Sequence, residues 1–187
     1  MDAVVGDLAG PPERGLVLSL RPVPLAHPDA QHLVARVQAE YMERYGGQDD
    51  SPIDLHEFDP PGGAFFVGYA LTGPDGTGGT GEPAAMGGWR RTTVRALGGT
   101  DAAEVKRMYV VPEARGRGWS AQVLAHLELT AADAGVDELV LETGIRQPEA
   151  IGLYTSRGYV RVPGFGHYRD SPLSRCFARR LPGPGIS

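Results

Sequence analysis

A chain of 187 residues with a formal net charge of −5 has the length of one globular domain and enough material to bury a full core. The negative balance, and the lack of any Lys/Arg block interleaved with aromatics, exclude nucleic acid as an expected partner; no apolar run approaches the roughly 18 residues a membrane span needs, so no membrane role is expected either. A lone cysteine, Cys176, and histidines without paired ligand spacing (His27, His32, His56, His126, His167) predict neither an internal disulfide nor a metal site.

The N-terminus is mildly acidic over Met1-Asp2-Ala3-Val4-Val5-Gly6-Asp7 and soon reaches Pro11-Pro12, which does not read as a secretory leader; a cytoplasmic protein is expected. Residues 1–14 and 182–187, rich in Gly and Pro, are expected to be flexible tails around a single domain over 15–181. Leu16 to Arg21 reads as a first strand closed by Pro22 and Pro24. From Asp29 to Tyr45, Leu33, Val34, Val37 and Tyr41 recur at helical spacing until Gly46-Gly47. An acidic stretch follows, with Asp49, Asp50, Asp54, Glu57 and Asp59, in which a short second helix is expected before Pro60-Pro61.

Ala64–Leu71 and Ala84–Thr92 read as strands joined by a long Gly-rich loop, and Glu104–Val111 as a further strand ended by Pro112. A helix opens just beyond Gly118, with Val123, Leu124, Leu127 and Ala131 on its core face, and stops at Gly135. Glu138–Glu142 is a short β-rich run. Pro148 suits the first turn of a helix that ends at Gly158 and buries Ile151 and Tyr154. Tyr159–Val162 and Ser174–Ala178 supply the closing strands. The order is β, α, (α), β-β-β, α, β, α, β-β, without internal repeat: an α/β domain of the α+β type.

The informative local feature is a strand leading through Arg115-Gly116-Arg117-Gly118-Trp119-Ser120 straight into a helix. The first turn of a helix leaves backbone amides unpaired and carries partial positive charge, which favours a phosphate by about 0.3–2 kcal/mol. Glycines allow close backbone approach, and the arginines can add charge-assisted hydrogen bonds. A P-loop would require a Gly-Lys-Ser/Thr that is absent. A dinucleotide fingerprint remains open, since Gly116-x-Gly118-x-x-Ala121 satisfies GxGxxA with Glu142 downstream, although antiparallel-looking strands precede it. An ordinary Gly-rich loop is the third reading.

Val110-Val111-Pro112-Glu113-Ala114-Arg115-Gly116-Arg117-Gly118-Trp119-Ser120 resembles the central motif of the GNAT superfamily of N-acetyltransferases, (Gln/Arg)-x-x-Gly-x-(Gly/Ala), with Arg115 and Gly118 matching and Ser120 at the last small position. Downstream, Gln147 and Ala150 to Tyr159 are similar to the family's Asn-x-x-Ala-x-x-Leu-Tyr-x-x-x-Gly-(Phe/Tyr), with Gln147 where asparagine is usual. The two segments keep the family's order and spacing. The resemblance implies a GNAT-like mixed, mostly antiparallel central sheet of about seven strands flanked by about four helices. It also implies acetyl-CoA as acyl-donor cosubstrate, no metal, and a primary amine of a small molecule or peptide as acceptor, by direct transfer in a ternary complex. A homodimer is compatible with it.

Acyl transfer from a thioester needs a neutral nucleophile, a stabilised oxyanion and a proton for the leaving thiolate. Glu104, eleven residues before Arg115, stands where some members of the family carry the general base; its structural alternative is a strand-edge residue paired with Lys106 or Arg107. Tyr154 matches the family's general acid, against a plain core tyrosine. By the same resemblance, Met108, Tyr109 and Val110 would offer main-chain hydrogen bonds to the pantetheine arm. Arg115, Gly116, Arg117, Gly118, Trp119, Ser120 and Gln147 complete the cofactor set. Glu57 in the acidic stretch and His167 between the closing strands are candidates for the acceptor side. Cys176 alternates with Phe177 and reads as a buried packing residue. Two alternatives stay open: a non-catalytic acyl-CoA-binding sensor on the same fold, and an NAD-dependent oxidoreductase.

Overall fold

Alternation along the strands decides which helix covers which face. In the computed structural model, which describes residues 16–47, 54–72 and 78–182, seven strands form one sheet. They are β1 (Leu16–Pro22), β2 (Gly63–Thr72), β3 (Gly78–Thr92), β4 (Ala102–Val110), β5 (Glu138–Gly144), β6 (Val160–Val162) and β7 (Ser174–Arg180), in the spatial order β1-β2-β3-β4-β5-β7-β6. Every neighbouring pair is antiparallel except β4 with β5. The helices are α1 (Pro28–Tyr45), α2 (Trp119–Asp133) and α3 (Pro148–Ser156).

Phe65, Val67, Tyr69 and Leu71 of β2 face α1, packing with Leu33, Val34 and Val37. Phe66 of β2, Val105 of β4 and Leu139 and Leu141 of β5 face the other way, onto Val123, Leu124 and Leu127 of α2 and Tyr154 of α3. The two-residue side-chain period of a strand thus produces two cores, one on each side of the sheet. Gly87 and Gly88 in β3 allow both layers to close: a Cβ on Gly87 would lie 3.0 Å from Val123, and one on Gly88 2.7 Å from Phe65 and 2.9 Å from Phe58.

Two expectations change. The short second helix expected in the acidic stretch is instead a pair of turns where it is described, closed by Glu57 N–H to Asp54 O and Asp59 N–H to His56 O. Pro60-Pro61 follows at once and cannot extend a helical ladder. Among the described residues there are therefore three α-helices rather than about four, plus a single 3₁₀ turn at Pro112–Ala114. The expected N-terminal tail, all of the C-terminal one but Pro182, Asp49, Asp50 and residues 73–77 of the Gly-rich loop lie outside the described residues. No helix among those described is long and apolar enough to cross a membrane.

The helix ends follow local chemistry. α1 begins with Pro28 behind His27, whose Nδ1 accepts from Asp29 N–H at 3.2 Å, and it ends at Gly46 in the left-handed region. At the start of β5, Glu138 is fully buried and accepts from the backbone amides of Ala96, Leu97 and Gly99 at 2.6, 2.9 and 2.6 Å. Its neighbour Asp137 takes the amides of Thr100 and Asp101, and these bonds hold its carboxyl down to about 2. Since that lies below the unfolded value, Asp137 contributes stability above about pH 4 that is lost as the pH falls through the folded value. The two carboxylates fasten the β3–β4 connection to β5 and so set where the parallel pair begins.

Replacing Glu138 by Ala leaves three amides without their buried acceptor; the expected loss is about 3 kcal/mol, read from urea denaturation. A loss below about 0.5 kcal/mol would mean that the loop finds other partners.

Candidate active site

Strands β4 and β5 are paired only from Ala102 with Glu138 to Val105 with Leu141. Beyond Val105, β4 continues to Val110 with its β5-facing edge unpaired, while β5 stays paired with β7 along its other edge from Glu138 to Gly144. The cause is a bulge. Between Met86 and Gly88 of β3, the register on β4 jumps from Tyr109 to Lys106, so β4 carries an extra residue there. Arg107 absorbs it with φ at 57°, the one non-glycine positive φ among the described residues. Bulges sharpen the local twist, and here the strands part.

The chain leaves β4 through the 3₁₀ turn and the Arg-Gly segment. Gly116 and Gly118 sit at φ of 78° and 74°, a region costly for side-chain-bearing residues, and Gly118 caps α2. The first intrahelical bond runs from Gln122 N–H to Gly118 O, so the amides of Trp119, Ser120 and Ala121 precede the helical ladder. Trp119 is buried and anchors the turn, whereas Ser120 is exposed. Arg117 lies over the Trp119 ring at 6.0 Å.

These features converge on a cavity of about 240 Å³. Its walls hold Met108, Tyr109 and Val110 of the unpaired edge; Arg115, Gly116, Gly118, Trp119 and Ser120 of the turn; and Gln147 and Tyr154 of the α3 region. Tyr154 is 6% exposed, and its hydroxyl donates to Met108 Sδ at 3.8 Å, a weak contact. Burial, reinforced by Tyr41, pushes that hydroxyl above its ordinary range, so at neutral pH it holds its proton.

Sequence reading missed the fourth wall. Val37, Glu40, Tyr41 and Arg44 of α1 line the same cavity. Glu40 Oε2 pairs with Arg115 Nη2 at 2.6 Å, and Glu40 Oε1 with Arg44 at 2.9 Å. Arg44 reaches on to Glu149 of α3 at 2.6 Å and donates to the Arg146 carbonyl at 3.1 Å. A line of alternating charges thus ties the turn, α1 and α3 together along one side of the cavity. The regular spacing of Glu40 and Arg44 reads in sequence as an ordinary i,i+4 pair, so nothing there pointed to the site.

Glu104, Arg117, Glu57 and His167 do not line this cavity. Glu104 is buried on the α1 face of the sheet; its Oε2 accepts from Arg90 Nε and Nη2 at 3.1 and 2.8 Å, and Oε1 lies 3.5 Å from Lys106 Nζ. Glu57 has a side chain only 4% exposed, bound by Arg90 and by Arg107 Nε at 3.2 Å. His167 is exposed and stacks edgewise on Tyr168. Cys176 is buried, and burial pushes its thiol up, which suits packing rather than attack.

A family model for the acetyltransferase (GNAT) family matches residues 32–159, the span that contains every wall of the cavity. The chain belongs to the GNAT acetyltransferase family. It is 44% identical over 71 residues to an IAA acetyltransferase of Azospirillum brasilense, a match that takes in 38% of this chain and spans only 46% of that relative. A Klebsiella pneumoniae structure described as a candidate acyl-CoA N-acyltransferase superposes with a TM-score of 0.65 at 26% identity, over 88% of this chain and 97% of the other. Arabidopsis thaliana NAA60 in complex with acetyl-CoA shares the fold, with a TM-score of 0.60 at 14% identity over 88% of this chain and 99% of that one.

Membership of the GNAT acetyltransferase family disfavours both the sensor module and the NAD-linked oxidoreductase. The dinucleotide fingerprint loses its topological basis as well. Its strand lies inside a largely antiparallel sheet with one parallel pair, not in a run of βαβ units.

Because, among the described residues, the Tyr154 hydroxyl hydrogen-bonds only a thioether, Tyr154→Phe in this GNAT domain should change the unfolding free energy by less than about 1 kcal/mol. Chemical denaturation checks this; a larger loss would make the hydroxyl a structural anchor.

Proposed function

We propose that the chain moves an acetyl group from acetyl-CoA to a primary amine of a small molecule or peptide, by direct transfer in a ternary complex, with residues 15–181 acting as one acyltransferase domain in the cytoplasm. One observation carries the reading: the unpaired edge of β4, the amino end of α2 and the Tyr154 hydroxyl open into the same cavity.

Each part of the donor finds a chemically suited group there. The amides at the amino end of α2 and Arg115 supply hydrogen bonds and positive charge for a pyrophosphate, which the glycines allow to come close, and Arg117, on the same turn but outside the cavity wall, adds charge. The edge of β4 at Met108, Tyr109 and Val110 has no β5 partner, although the Val110 carbonyl takes Arg115 Nε at 3.1 Å, and it suits the amides of the pantetheine arm and the oxyanion. Gln147 adds a side-chain amide at the start of α3. Glu40 stands at Arg115 as a local carboxylate, and a phosphate would compete with it for the guanidinium.

In the transfer, the amine nitrogen attacks the thioester carbonyl carbon, the C–S bond breaks, and the sulfur takes the Tyr154 proton. The burial that raises the phenol also disfavours a bare thiolate, so the proton moves as sulfur becomes anionic. The amine's proton passes through water to Glu104. Of its two oxygens, Oε2 is committed to Arg90, which leaves Oε1, with the long Lys106 contact alone among the described residues, as the acceptor. Glu57 and His167 belong to the acceptor side in this reading.

Free-thiol release from acetyl-CoA, followed against a panel of amines, tests the reading. Acceptor-dependent release is expected, with kcat in Tyr154→Phe lower by about 100-fold; CoA binding without release for any amine would reject it.

The donor site is tested separately by calorimetry. Gly118→Val, which places a branched residue at φ 74° beside the phosphate path, should weaken CoA binding at least about tenfold. Glu40→Gln, which frees Arg115, should tighten it several-fold. Unchanged affinity in both variants would remove the turn from the site.

A further inference from the structure

Arg107 has no task in the transfer just described, yet its placement is the least ordinary in the sheet. It sits in the bulge of β4 with φ at 57°, a region that branched and bulky residues rarely occupy. Its side chain is only 7% exposed, and Nε donates to Glu57 Oε1 at 3.2 Å. Among the described residues, that is the one hydrogen bond the guanidinium makes; its Nη nitrogens donate to no described protein group and are not fully sealed from solvent. A guanidinium carries five N–H donors, so the Nη edge can still take an acceptor that comes to it.

Arg90 provides the contrast. It shares Glu57 with Arg107 and also holds Glu104: Nε and Nη2 go to Glu104 and Nη1 to Glu57, so each of its nitrogens is committed. The connected cluster holds three cations, Arg90, Lys106 and Arg107, against two carboxylates, Glu57 and Glu104. The cluster keeps one positive charge in excess, and within it Arg107 is the guanidinium whose Nη edge is uncommitted. That is the donor pattern that takes a carboxylate bidentately.

Its position links the cluster to the transfer. The next residue, Met108, lines the donor cavity and touches the Tyr154 hydroxyl, and β4 is unpaired with β5 beyond Val105. Three residues earlier on the strand, Glu104 belongs to the same cluster. We propose that the acceptor is an amine that also carries a carboxylate, an amino-acid-like molecule. Its carboxylate takes the two Nη nitrogens of Arg107 while its amino group lies toward Glu104 Oε1. This inference rests on the acyl-transfer reading above and narrows its acceptor.

The test is thiol release from acetyl-CoA with matched acceptors: glycine and methylamine, L-phenylalanine and phenethylamine, L-tryptophan and tryptamine, L-lysine and cadaverine, with O-phosphoethanolamine as a phosphoryl comparison. At least one amino acid should exceed its decarboxylated partner by about 10- to 100-fold in kcat/KM. Arg107→Gln should bring that ratio near one, chiefly through KM, and Arg107→Lys should restore it only in part, because an ammonium lacks the fork. The CoA-induced rise in melting temperature, retained in both variants, reports that the fold and donor site are intact. Parity within every pair, a preference that survives Arg107→Gln, or a preference for the phosphoryl compound would overturn the proposal while leaving acyl transfer standing. CoA binding with no release from any acceptor would instead defeat the acyl-transfer reading, and this proposal with it.

Discussion

The parting of β4 from β5 is the constraint on which the rest of the site depends. A parallel pair that stayed hydrogen-bonded to Val110 would leave no free backbone edge and no gap between the two faces of the sheet. Pairing stops at Val105 with Leu141, and the extra residue at Arg107 makes the separation compatible with unbroken pairing of β4 to β3 on its other side. Glu138 and Asp137 hold the opposite end of the same pair, where five backbone amides of residues 96–101 converge on their carboxylates. The strands are thus fastened at one end and released at the other. A V-shaped opening is the geometric consequence.

Charge is arranged in two separate lines around that opening. On the donor side, Arg115, Glu40, Arg44 and Glu149 alternate in sign and join three elements far apart in sequence. On the opposite side, Glu104, Arg90, Glu57 and Arg107 do the same across β3, β4 and the turns before β2. The first line is half-exposed, so its pairs exchange readily with a mobile anion. The second is largely buried, where breaking a pair leaves an uncompensated charge and costs far more. One line is therefore built for exchange and the other for fixed geometry.

What could be read from the sequence follows the same division. The order of the strands, the ends of α1 and α3, and the turn before α2 each rest on local chemistry: a two-residue alternation, a proline at the first helical position, glycines in the left-handed region. Such features are written in consecutive residues. Where it is described, the acidic stretch turns instead of forming the expected helix, because Pro60-Pro61 follows too closely, a competing local signal that the acidic composition obscured. The α1 wall was missed for a different reason: Glu40 meets Arg115 across seventy-five residues of chain, and only the packing of α1 on the sheet brings them together.

The bulge itself illustrates the limit most sharply. Lys106-Arg107-Met108 reads as three residues of an ordinary strand, and no glycine or asparagine announces a positive φ. The register on β3 reveals it, because Met86 and Gly88 enclose one residue while Tyr109 and Lys106 enclose two. An arginine in that conformation must be held by its surroundings, and among the described residues Glu57 is the one hydrogen-bonding partner of its side chain. The donor side of this fold is built mainly from backbone amides and glycines, which motifs record well. The opposite side is built from long side chains that meet only after folding, and there the structure carries information the sequence does not display.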